Sequence, residues 1–123
     1  TVEQLAAAIA AAAAADVPFK ATAGLHHPVR HFNASVNTHM HGFLNVFGAG
    51  LLARLRGWNA EQIAPVISEE KASRFRIDGL GFEWNDNCIS ADEIMAGRKA
   101  FAQSFGCCSF TEPLEDLRGL GIL

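Results

Sequence analysis

Twelve residues, Lys20 to His31 (KATAGLHHPVRH), gather a lysine, an arginine, three histidines and a proline inside an otherwise apolar, alanine-rich chain. Two more, His39 and His41, bring all five histidines within sixteen residues. Such a set could do several kinds of chemistry. Imidazole moves protons near neutral pH. Lysine anchors an anion or attacks a carbonyl as a Schiff-base nucleophile, and arginine grips a carboxylate or phosphate through two parallel hydrogen bonds. Histidines also ligate zinc and other transition metals, or serve only as loop and cap residues bound to nearby backbone.

The spacing argues against the metal. His39-x-His41 is read onto the first turn of a helix, where residues two apart point about 200° away from each other and cannot chelate one ion together. No carboxylate falls inside the cluster, and Pro28 with its loop-like neighbours makes a helical His27–His31 pair a poor expectation. A histidine-liganded, metal-dependent hydrolase therefore stands only as an alternative, and neither a metal nor a cofactor is expected.

Elements must position these groups. Val17 to Ala23 reads as a strand, with Val17, Phe19, Ala21 and Ala23 on one face and Lys20 and Thr22 on the other. Phe19 belongs against helices, which aims Lys20 and Thr22 at the opposite side. That side is the interior if the sheet is a barrel. Gly24 then opens a long loop at the C-terminal end of the strand, where α/β folds place ligands.

Around it, Thr1 with Gln4 forms a capping box for an alanine-rich helix ended by Asp16. Asn37 or Thr38 caps a helix to about Gly57, with Met40, Phe43, Leu44, Phe47 and Leu51 on one face. Asn59 with Gln62 caps another, broken or restarted at Pro65. A strand at Arg74–Ile77 leads to a hairpin around Asn85-Asp86-Asn87. Ser90 with Glu93 opens a helix to about Ser104, Phe105–Phe110 is a strand, and Glu112-Pro113 opens the last helix. Strands alternating with helices predict an α/β fold over residues 1–123, with a parallel sheet and flanking helices. Three main strands cannot close a barrel, so the expectation is a partial, half TIM-barrel-like sheet completed by a second copy or by an N-terminal barrel half. The chain opens at Thr1 inside a helix start, which fits a C-terminal fragment of something longer.

Composition narrows the class. Half the 123 residues are apolar, and the net charge of −3 comes from mixed charges with no basic run, which speaks against nucleic acid and anionic membrane surfaces. The Ala6–Ala15 stretch is too short and too weakly hydrophobic to span a bilayer and lacks a signal peptide's basic start. Cys88, Cys107 and Cys108 make neither a disulfide framework nor a CxxC knuckle. Reduced thiols and a cytoplasmic setting follow, with Cys107 and Cys108 read as structural thiols on a strand without an activating base.

Secondary candidates are Arg30 and His31 in the loop, His41 and, four residues on, Asn45, whose alternative is a helix-packing hydrogen bond. Glu83, Asp86 and Asn87 read as a solvated turn. Ser109 and Glu112 follow the last strand and could line the same mouth.

The blocks VPFKATAGLHHPVRH, MHGFLNVF and FGCCSFTEPLEDLRGLGIL together resemble a family of uncharacterised bacterial proteins with a TIM-barrel-like C-terminal region. The spacer FNASVN is unlike the family's usual one. The resemblance implies a barrel-type fold and marks Lys20, His26, His27, Arg30 and His41 as motif positions, with no assigned reaction. The expectation is binding or transformation of a small anionic or carbonyl metabolite. Lys20, His26 and His27 would do the chemistry, and Thr22, Arg30, His31, His41 and Asn45 would bind. The alternative is a non-catalytic interaction or assembly domain.

Overall fold

The computed structural model describes residues 1–22 and 24–123; the expected place of Ala23 beside Phe19 lies outside the described residues. Helix α1 (Val2–Ala14) starts on the reciprocal Thr1/Gln4 capping box. It ends with Asp16 at φ +54°, where Val17 N–H donates to Ala12 O (2.9 Å) and Asp16 N–H to Ala13 O (3.3 Å). This is a Schellman stop with an aspartate in the left-handed position. Short strand β1 (Phe19–Ala21) follows.

The expected 24–38 loop contains a hairpin instead, β2 (His31–Asn33) against β3 (Thr38–Met40). It stands on the surface with Phe32 and Val36 more than half exposed, so it carries no apolar alternation by which to be recognised. Its turn is made by Asn33, whose Oδ1 accepts from Ser35 N–H and Oγ–H.

Helix α2 (Phe43–Arg56) runs through the centre, buried from Phe43 to Ala53, and packs on α1, on α3 (Ala60–Ser68) and on α4 (Ala91–Ala100). It begins at Gly42, later than the expected cap at Asn37 or Thr38, so His39 lies in β3 and His41 between β3 and α2. α3 runs unbroken through Pro65, against expectation. Pro65 sits on the exposed face, while Ile63, Val66 and Ile67 opposite are fully buried. Burying those three side chains, at roughly 1.5–3 kcal/mol each, outweighs the about 3 kcal/mol penalty of an interior proline.

Strands β4 (Phe75–Asp78), β5 (Gly81–Trp84) and β6 (Asn87–Ser90) form an antiparallel meander whose inner face carries Phe75, Phe82, Trp84 and Ile89. The Ser90/Glu93 capping box starts α4 as expected. α4 stops at Ala100, and β7 (Ala102–Phe105) pairs in parallel with β1. The strand expected at Phe105–Phe110 thus forms three residues earlier. At the start of this strand Phe101 and Ala102 are fully buried, and Cys107 and Cys108 fall in the loop beyond it. Helix α5 (Glu112–Gly119) closes the chain.

Among the described residues the architecture is α/β with five α-helices. Among the described residues, only β1 and β7 pair in parallel and no barrel closes. The Arg74–Ile77 strand was expected in the parallel sheet and belongs to the meander instead. Among the described residues, no helix is long and apolar enough to cross a membrane.

Candidate functional site

The loop after β1 is built to hold its polar groups still. Leu25, Pro28 and Val29 are buried in the core, which leaves His26, His27, Arg30 and His31 at its boundary. The first turn of α2 has no side-chain cap. Its free N–H groups are taken by the loop: Phe43 N–H donates to His27 O (3.0 Å) and Leu44 N–H to Pro28 O (2.9 Å). This docking needs Gly42, because a Cβ there would lie 2.4 Å from Pro28 O and 2.5 Å from the Val29 carbonyl carbon. Asn45 completes the clamp. Its Oδ1 accepts from Arg30 N–H (2.8 Å), and its Nδ2 donates to Val66 O and Glu69 O (2.8 Å each). Asn45 is fully buried, and all of these bonds are internal.

Helix α5 supplies the acids that the cluster lacked in the sequence. His27 Nδ1 pairs with Asp116 Oδ2, and His27 Nε2 lies 3.8 Å from Glu112 Oε1. The other Glu112 oxygen is 3.4 Å from His26 Nδ1. The His27 and His31 rings meet edge to face at 4.1 Å, and among the described residues the buried His31 Nδ1 has no hydrogen-bond partner. Arg30, 16% exposed, places Nε 3.5 Å from Glu70 Oε1 and Nη1 3.3 Å from His41 Nδ1. Glu70 also faces His39 Nε2 at 3.2 Å. Burial, and then the Arg30 guanidinium, push the His41 pKa below its ordinary 6.5.

Between this loop and α5 lies a cavity of about 320 Å³, lined by His27, Arg30, His31, Glu70, Asp116 and Leu120 among others. A second cavity of about 270 Å³ sits beyond the end of β1 and takes Thr22 and His41 with Leu25 and Met40. The sequence-predicted residues therefore divide. His27, Arg30 and His31 share the first cavity, Thr22 and His41 the second, His26 stands beside Glu112, and Asn45 is internal. Phe19 packs on Phe47 and Phe101 as expected. Lys20 is exposed, and among the described residues no carboxylate lies within ion-pair distance of it, nor does it line either cavity. Glu83 pairs with Arg76 at the meander, away from the site.

Asp116 and Glu70 were not anticipated. A signal for Asp116 exists in the chain: Glu112 opens a helix, and a second acid four residues later shares its face. Cys107 was expected to lack a nearby base, yet its Sγ is 3.2 Å from His26 Nδ1, and Cys108 Sγ is 3.7–3.8 Å from the same ring. Among the described residues, no three His, Cys, Asp or Glu side chains surround a point suited to a metal ion. No protein-family model matches the chain, and no curated protein or solved structure matches it either.

Proposed function

We propose that this chain binds a small anionic or carbonyl metabolite in the cavity between the His26–His31 loop and α5, and moves protons on it. One observation carries the reading. His27, Arg30 and His31 from the loop and Asp116 from α5 converge on a single cavity of about 320 Å³, past the C-terminal end of a parallel strand. Arg30 is the anion's partner, held by Asn45 through its backbone and shared by Glu70 through its side chain. His27, oriented by Asp116, is the proton-transfer group, and His31 offers a nitrogen with no internal partner. Lys20 has no part in this reading.

The test is a titration of pyruvate, acetate and phosphate followed by the ring resonances of His27 and His31. A saturable shift is expected with at least one of them. Arg30→Met should weaken that binding about 10- to 100-fold, the worth of a charge-assisted hydrogen bond of roughly 1.5–3 kcal/mol. No shift with any of the three overturns the reading.

The same proposal takes β1 and β7 as part of a TIM-barrel-like sheet completed by a second copy, because among the described residues the pair has no third strand on either side. Light scattering that finds a stable monomer at high concentration counts against that extension alone.

A further inference from the structure

β1 and β7 are parallel neighbours, and the loops that leave their C-terminal ends carry a histidine and a cysteine. The last bond of their ladder runs from Gly106 N–H to Ala21 O (2.8 Å). Directly beyond it, the segments after the two strands deliver Cys107 and, five residues after Ala21, His26. Cys107 Sγ lies 3.2 Å from His26 Nδ1, and Glu112 Oε2 lies 3.4 Å from the same nitrogen. Cys107 is half-buried, while Cys108 is exposed and stands farther from the ring. Thiol, imidazole and carboxylate come from three segments that only the fold brings together.

A thiol is inert until it loses its proton, and an adjacent imidazole is the commonest way to take it. The imidazolium so formed would have a Glu112 carboxylate oxygen 3.4 Å from its Nδ1. The chain holds its own control in Cys88. That thiol is exposed and faces Glu83, and desolvation together with the Glu83 carboxylate raises its pKa. The two environments should make the two thiols react differently.

We infer that Cys107 and His26 form a nucleophilic thiol–imidazole pair that adds reversibly to the carbonyl carbon of an aldehyde or 2-oxo acid. The Cys107 S–H proton passes to His26 Nδ1. The sulfur forms a bond to the carbonyl carbon as the C=O π bond breaks, and the resulting oxygen takes the proton back from His26. The product is a neutral hemithioacetal, or hemithioketal from a ketone. Nothing is oxidised or reduced, and no group leaves. The identity of the electrophile rests on the proposed carbonyl-binding function; the reactivity of the thiol does not. Glu112 links the two places, one oxygen toward His26 and the other toward His27.

The test alkylates the whole chain with iodoacetamide near neutral pH and follows Cys88, Cys107 and Cys108 separately by peptide mass spectrometry. Cys107 should react about tenfold or more faster than Cys88, and His26→Gln should remove most of that advantage. Glyoxylate should slow the alkylation of Cys107, whereas acetate at the same concentration should not. Equal rates at Cys107 and Cys88 overturn the pair, as does a fast Cys107 that His26→Gln leaves fast, or a fast site at Cys108 instead. Equal protection by acetate overturns the covalent adduct. Cys107→Ser distinguishes the two proposals. If it keeps the pyruvate, acetate or phosphate shift at His31 and loses the glyoxylate-sensitive thiol, both stand. A wild-type chain with a fast Cys107 and no such shift retains the nucleophile and loses the cavity reading.

Discussion

Two regions of this molecule concentrate charge, and they do it in opposite ways. On the meander, Arg76 pairs with Asp78 and Glu83, two and seven residues away; beside it, Arg56 at the end of α2 holds Glu93 in the first turn of α4. These groups are at the surface, and Asp78, Glu83 and Glu93 each have a guanidinium within ion-pair distance. The Arg56 guanidinium and the Ser90 N–H take Glu93 down to about 2, and Arg76 lowers Glu83. At the end of β1 the partners come from far along the chain: His26 and Cys107 are 81 residues apart, and His27 and Asp116 are 89 apart. There a ring nitrogen is left without a partner and a cavity remains open. Local pairing of opposite charges trims a sheet surface. Distant convergence of imidazoles, a guanidinium and carboxylates on one cavity is the observation that supports the proposed site, because titratable groups gathered in a cleft are where functional chemistry concentrates.

The difference can be broken at its anchor. Asn45→Ala strips all three hydrogen bonds of a fully buried side chain at once and leaves Arg30 N–H, Val66 O and Glu69 O without that partner. Unsatisfied buried groups cost about 1–3 kcal/mol each, and the bonds share one side chain, so a loss of roughly 3–5 kcal/mol is expected. Urea denaturation measures it. The His27 and His31 ring resonances should broaden or move, while those of the meander stay in place. A loss below about 1 kcal/mol would mean that the loop is held by its backbone bonds to α2 alone.

Much of this was readable in the chain where the signal is local. The three capping boxes, the turn at Asn85, the packing of Phe19 on a helix and the proline start of α5 each depend on residues within a few positions of one another, and each forms. What was not readable depends on distance or on silence. The β2–β3 hairpin buries too little to show a period. The start of α2 is set by carbonyls of His27 and Pro28 rather than by a cap of its own. β7 was misplaced because FGCCSF looks as strand-like as the AQSF that pairs with Lys20 and Ala21. The histidine loop announced itself by composition. Its thiols and carboxylates did not, since nothing in a single sequence says that residue 107 returns to residue 26.

His41 sharpens the comparison with a smaller effect. Its folded pKa lies below the ordinary 6.5 because it is partly buried and faces Arg30, with the N-terminal ammonium adding a minor push. Between the folded value and 6.5 the unfolded chain therefore binds more protons than the folded one, and stability rises with pH through that window. Read downward, stability is lost as pH falls through 6.5 and stops changing below the folded value. One proton sets a ceiling of about 1.4 kcal/mol per pH unit, and partial exposure keeps the slope beneath it. The carboxylates of the meander and of the first turn of α4 behave oppositely. Asp78, Glu83 and Glu93 are depressed carboxylates, so their contribution is complete above their ordinary values of 3.8 and 4.5 and is lost only in stronger acid. Denaturation midpoints of the wild type and His41→Gln, measured from pH 5 to 8, isolate the histidine from the rest. The variant should gain on the wild type as the pH falls below 6.5 and show no relative change above it. Two parallel curves would mean that Arg30 and burial leave His41 as it is in the unfolded chain, and that its side of the site carries no more electrostatic strain than the paired surface of the meander.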